Sequence, residues 1–150
     1  MSTFPIRRAD VADLDAVLVL LLAQLREHHN FTPDAAVARA LDGLLAHPER
    51  GTVLVATLDG RIVGMAALST MWTLEHGGPS VWLDELYVEP SRRSQGIGRA
   101  LLAAACDAAR EYGCHTIDLE VDAEHDRAAQ LYAREGFARL ARTRWVRRLA

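Results

Sequence analysis

Arg93-Ser94-Gln95-Gly96-Ile97-Gly98 sets a guanidinium, small polar side chains and two glycines between the apolar run Leu86-Tyr87-Val88 and an alanine- and leucine-rich stretch. That order reads as a buried strand breaking at Pro90 into a basic turn that opens a helix. Backbone N–H groups gathered at a strand end and a helix N-terminus favour an anion, and missing Cβ atoms let it come close. A pyrophosphate is the group such a turn suits. A dinucleotide-binding fingerprint would need a third small residue where Leu101 stands, and a P-loop would need Lys followed by Ser or Thr after its second glycine. Upstream, Asp84 and Glu85 place two carboxylates on the strand. Simple alternation points them to opposite faces, so one of them faces the site.

The elements that must hold these residues follow from periodicity and turn chemistry. Thr3 to Arg8 reads as a short strand, and Asp10 with Asp13 as the cap and acidic first turn of a helix striped by Leu14, Val17, Leu18, Leu21 and Leu25. Thr32-Pro33-Asp34 predicts a second helix, capped by Thr32, with Leu41, Leu44 and Leu45 on its apolar face and an end near His47-Pro48. Val53 to Leu58 and Arg61 to Ser69 form a hairpin about Asp59-Gly60. Thr73 to Ser80, with Gly77-Gly78-Pro79, reads as a loop before the strand Val81 to Val88. A helix then runs from Gly96 to Tyr112 with Gly113 as its left-handed cap. A strand from Thr116 to Val121, a helix from about Glu124 to before Gly136, and one or two strands within Phe137 to Val146 complete the chain. The class is α/β, a mixed central sheet flanked by helices in the order β-α-α-β-β-β-α-β-α-β. The basic turn stands at the carboxyl end of a strand, where α/β sheets bind ligands.

A chain of 150 residues, half of them apolar, is the size of one domain, 1–150. Its net charge of −3 gives no field to recruit nucleic acid, and the arginines from Arg139 to Arg148 read as the solvated face of a terminal strand. Cys106 and Cys114 form no Cys-x-x-Cys, which favours a reduced cytoplasmic setting, and Cys106 reads as core. Val17 to Leu22 is too short to span a membrane, and no export segment opens the chain. There is no HExxH or Cys/His cluster at ligand spacing, so no catalytic metal is expected.

The composite of Arg93-Ser94-Gln95-Gly96-Ile97-Gly98, the preceding strand, the long helix, the strand from Thr116 to Val121 and Leu131-Tyr132-Ala133-Arg134-Glu135-Gly136-Phe137 resembles the GCN5-related N-acetyltransferase (GNAT) family. The resemblance is close over the second half and rests on element order in the first. It implies acetyl-CoA as co-substrate and transfer of its acetyl group to a primary amine of a small molecule or peptide, by direct attack in a ternary complex. It assigns Arg93, Ser94, Gln95, Gly96, Ile97, Gly98 and Arg99 to the pyrophosphate, and the backbones of Leu86 and Val88 to the pantetheine arm, with a backbone N–H polarising the thioester carbonyl. The family pattern has glycine at Ser94 and commonly asparagine at His125, a pantetheine contact. Tyr132 becomes the general acid for the departing thiolate, since a phenol of pKa about 10 keeps its proton at neutral pH. Asp84 matches a site where some members carry a catalytic carboxylate, with Glu85 or a water chain as competing bases. Trp72, Glu75 and His76, with Glu27, His28 and His29, are candidates for the acceptor pocket, and Trp145 on the terminal strands for a homodimer interface. A non-catalytic acyl-CoA-binding regulatory module is the alternative.

Overall fold

In the computed structural model, which describes residues 4–149, a five-stranded sheet in the order β1-β2-β3-β4-β5 carries helices on both faces. Its strands are β1 (Ile6–Arg8), β2 (Gly51–Leu58), β3 (Arg61–Thr73), β4 (Gly78–Val88) and β5 (Ile117–Leu119). Neighbours pair antiparallel except β4 and β5, which are parallel, so the sheet is mixed. The helices are α1 (Leu14–Glu27), α2 (Asp34–Ala46), α3 (Ile97–Glu111) and α4 (Asp126–Arg134). The expected start at Thr3 lies outside the described residues. The chain divides into two compact units after Glu120, and α4 belongs to the second.

The first unit buries both faces of its sheet. Val17 and Leu20 of α1 and Leu41 of α2 pack with Val53, Val55, Met65, Ala67 and Tyr87, one side of β2, β3 and β4. On α3, Ile97, Leu101, Leu102, Ala105, Ala108 and Ala109 are buried. Gly64 lets that helix approach β3, because a Cβ there would meet Leu101 Cδ1 at 3.1 Å and the Tyr87 carbonyl at 3.2 Å. A 3-10 turn, Val11–Asp13, leads into α1 and is capped by Asp10, which accepts from the Ala12 N–H at 2.8 Å while Asp13 accepts from the Asp10 N–H at 2.9 Å. This reciprocal capping box satisfies two donors that a helix start leaves open. Arg7 grips the same Asp13 with both guanidinium ends, at 2.7 and 2.9 Å, tying β1 to the helix entry. The guanidinium, together with the backbone bond, holds the Asp13 carboxyl at about 2, well below the usual carboxylate range.

Four expectations need correction. Thr32 does not cap α2: its hydroxyl donates to Asn30 Oδ1 at 2.8 Å, and Pro33 takes the cap position without a side-chain bond. The loop expected from Thr73 to Ser80 is only a turn over 74–77, since Thr73 pairs with Gly78, and Pro79 and Ser80 pair with Trp72 and Met71. Pro79 is tolerated because it stands at the strand's start rather than inside a ladder needing its N–H. Among the described residues 137–149 form no strand, and their arginines lie on exposed irregular chain. Cys106 is only half-buried, whereas Cys114 is buried and its thiol is pushed up by that burial.

Candidate active site

β4 outruns its parallel partner. The ladder to β5 ends at Leu83 opposite Leu119, while β4 stays paired to β3 as far as Val88 opposite Gly64. Among the described residues, β4 therefore has a strand neighbour on one side only from Asp84 to Val88. The Glu89 N–H goes to the Val63 carbonyl at 2.9 Å, toward β3. Alternation along the backbone then turns the amide groups of Leu86 and Val88 to the open side. An extended amide-bearing chain can add there as a strand would.

The divergence coincides with a bulge. Ala67 pairs with Glu85 and Leu68 with Leu83, which leaves Asp84 as the extra residue of β4. A bulge re-aims side chains and breaks strict alternation, so Asp84 and Glu85 do not simply face opposite ways. Asp84 is exposed and accepts a hydrogen bond from the Ser69 hydroxyl, while Glu85 is half-buried. Ser69 carried no signal in the sequence, because only the pairing of β3 with β4 brings it to Asp84.

Beyond Val88 the chain makes a 3-10 turn, Pro90–Arg92, and reaches the basic segment. Ser94 has φ 66° and Gly96 φ 91°, two left-handed positions on either side of Gln95. Glycine takes this conformation freely, but at Ser94 the Cβ makes it costly. Where the family pattern has glycine, the segment thus holds Ser94 in the geometry that glycine prefers. Gly96 is also the cap of α3 and brings no side chain, so the first-turn N–H groups of Ile97 and Gly98 are available to an anion. Arg93 turns inward. Its Nε donates to the Val88 carbonyl at 2.8 Å and its Nη2 to Glu27 at 3.2 and 3.4 Å. Glu27, expected near the acceptor, thus faces the start of this segment, and Arg99 is exposed.

The second unit holds the other two chemical candidates. His125 caps α4 without a side-chain cap bond, and its Nδ1 lies 3.9 Å from Asp122 Oδ2. Tyr132 lies seven residues on, nearly two helical turns. The Phe137 N–H donates to the Tyr132 carbonyl at 3.0 Å and the Gly136 N–H to the Ala133 carbonyl at 3.2 Å. With Gly136 at φ 92°, this is a Schellman ending, and its customary apolar contact is the edge-on pair Tyr132–Phe137, centroids 5.7 Å apart. Tyr132-x-x-x-Gly136-Phe137 therefore has a local structural job, and the ring performs it whether or not the hydroxyl does chemistry.

The remaining acceptor candidates scatter. Trp72 is 78% exposed and pairs with Pro79, roughly 16 Å along β4 from Asp84 at strand spacing. Glu75 lies exposed on the turn between β3 and β4, and His76 there meets Asp118 of β5 at 2.7 Å. His28 caps α1, and His29 follows at φ 56°.

The geometry is thus a strand edge that opens beside a bulge and leads into the start of α3. The acetyltransferase (GNAT) family model matches residues 14–137, and the chain belongs to that family. An uncharacterised N-acetyltransferase from Archaeoglobus fulgidus is 33% identical over 137 residues, covering 89% of this chain and 92% of that protein. The aminoalkylphosphonate N-acetyltransferase of Salmonella typhimurium is 30% identical over 139 residues, covering 91% and 86%. A solved aminoglycoside N-acetyltransferase in complex with CoA superposes with a TM-score of 0.84 at 22% identity, covering 100% of this chain and 97% of that one. The chain has the acetyltransferase fold and is an acyl-CoA-dependent N-acetyltransferase.

Proposed function

We propose that the chain, as one acetyltransferase domain, moves the acetyl group of acetyl-CoA to a primary amine of a small molecule or peptide by direct attack in a ternary complex. The observation that carries this reading is the one-sided stretch of β4 from Asp84 to Val88 running into the left-handed positions at Ser94 and Gly96. The amides of Leu86 and Val88 are suited to pair with the pantetheine arm, and the N–H groups from Ser94 to Arg99 to hold the pyrophosphate, with His125 as a further coenzyme contact. Gln95, Gly96, Ile97 and Gly98 complete that cradle.

The acceptor amine, with a pKa of about 10, arrives protonated and must lose that proton before it attacks. Asp84, exposed and held by Ser69, is the proposed base, directly or through water, with Glu85 beside it as an anchor for the ammonium. The nitrogen lone pair forms the C–N bond at the thioester carbonyl, and a main-chain N–H supports the developing oxyanion. The C–S bond then breaks, Tyr132 gives its proton to the departing thiolate, and the nitrogen's surplus proton leaves through water to restore the phenol. No step passes through a metal or a covalent enzyme intermediate. Among the described residues no helix is long and apolar enough to cross a membrane, and we place the protein in the cytoplasm without a nucleic-acid partner. Trp145, 90% exposed, offers apolar surface for a homodimer.

Thiol release from acetyl-CoA against a panel of alkylamines, aminophosphonates, aminoglycosides and peptide N-termini tests the reading. Release with at least one amine is expected; CoA binding without release for any acceptor would favour the regulatory module instead. Asp84→Asn should lower kcat about 10- to 100-fold and remove the acidic limb of the rate profile. An unaltered rate and profile would assign the proton to water or Glu85.

A further inference from the structure

Three side chains from three elements close a small network at the start of the basic segment. Glu27 is the last residue of α1, Tyr87 precedes Val88 on β4, and Arg93 opens the basic segment. The Tyr87 hydroxyl donates to Glu27 Oε1 at 3.2 Å, and the Arg93 Nη2 donates to the same oxygen at 3.2 Å. The guanidinium carbon also stands 5.1 Å from the Tyr87 ring centroid, within cation–π range. Tyr87 is only 5% exposed, and its burial beside the Glu27 carboxylate pushes the phenol up, so it remains a donor. The fourth contact, Arg93 Nε to the Val88 carbonyl at 2.8 Å, is a chord across the Pro90–Arg92 turn. Arg93, placed by its sequence position among the phosphate contacts, is thus engaged with protein through its Nε, its Nη2 and the face of its guanidinium.

We propose that Glu27 is a positioning residue for the donor site. It clamps Arg93 on Tyr87 and thereby fixes the spacing between the open edge of β4 and the Ser94–Gly98 cradle. Without the carboxylate, a half-exposed guanidinium is drawn to solvent, the Val88 carbonyl loses its donor, and the chord opens. The coenzyme must then order that segment when it binds, which weakens affinity without touching the reacting atoms. The inference rests on the reading of the segment from Ser94 onward as the pyrophosphate cradle, and it makes α1 a determinant of donor affinity.

Equilibrium binding of CoA and steady-state kinetics on Glu27→Ala, Arg93→Met and the double variant test it. Glu27→Ala should raise both the CoA Kd and the acetyl-CoA KM about tenfold, with kcat at saturating acetyl-CoA within about twofold of wild type. The double variant should bind no more weakly than Arg93→Met alone, because both changes break one linkage. Glu27→Gln, which keeps an acceptor for Tyr87, should recover part of the affinity. Should Glu27→Ala fail to fold, Tyr87→Phe serves, with a two- to threefold rise in Kd expected for one lost donor. Wild-type affinity in the folded Glu27 or Tyr87 variant, or losses that multiply in the double variant, would overturn the proposal. Gly98→Trp separates the two readings: retained CoA affinity there sinks the cradle itself, whereas lost affinity there beside unchanged affinity in Glu27→Ala sinks only the positioning role.

Discussion

The two units of this chain divide its labour unevenly. The first, with its five strands, buries both faces of the sheet, and Val53, Val55, Val63, Met65, Leu68 and Leu101 have no exposed surface at all. In the second, α4 has no fully buried residue, and hydrogen bonds and one aromatic pair close its C-terminal end. A buried core makes substitution expensive, because removing packed methylenes costs both transfer free energy and a cavity. A helix held by its cap can carry a reactive side chain whose loss costs the fold little. Stability is thus concentrated in the first unit, while Tyr132, the proposed proton donor, stands on a helix of the second with no fully buried residue.

Tyr132→Phe cuts this contrast most sharply. It keeps the ring that packs on Phe137 and removes only the hydroxyl. The thermal midpoint should stay within about a degree and CoA affinity within about twofold, while kcat falls about 100-fold through loss of the proton donor. Full turnover in the variant would leave Tyr132 with its capping role alone.

Asp13→Asn should do the reverse, lowering stability and sparing chemistry. The folded carboxyl titrates at about 2 against an ordinary 3.8, so the Arg7–Asp13 linkage stabilises fully above pH about 4 and is lost as pH falls through about 2. That shift corresponds to about 2 kcal/mol at neutral pH, and Asp13 is a mostly buried partner. Unfolding free energies from denaturant titrations at pH 7 should differ by this amount between wild type and variant, and converge toward pH 2. A gap that persists at pH 2 would assign the loss to capping geometry rather than charge.

The contrast also sorts what could be read from residues alone. Asp59-Gly60, the Asp10 cap and the glycine endings of α3 and α4 are local signals, each with its own backbone requirement, and each appears where the sequence puts it. The bulge at Asp84 is a relation between β3 and β4, and no residue in either strand announces it. Glu27, Tyr87 and Arg93 meet only because α1 packs across β4. The strands expected within Phe137 to Val146 needed a pairing partner, and strand propensity along a segment does not supply one.

Left-handed positions occupied by residues other than glycine give the finest test. α1 ends as α3 and α4 do, with the Asn30 N–H on the Leu25 carbonyl at 2.9 Å and the His29 N–H on the Arg26 carbonyl at 3.1 Å, yet the left-handed residue is His29. Ser94 is the matching case inside the cradle. Replacing either by glycine relieves the Cβ clash and should stabilise by about 0.5–1 kcal/mol, less what glycine's extra freedom in the unfolded chain removes. If the first unit keeps scaffold and donor site apart, His29→Gly should raise the thermal midpoint with no change in CoA affinity. Ser94→Gly should raise the midpoint and also alter affinity, since it resets the N–H groups that face the phosphates. Equal effects on affinity from both would mean that the end of α1 and the cradle move as one body, so that Glu27 passes strain between them as well as holding Arg93.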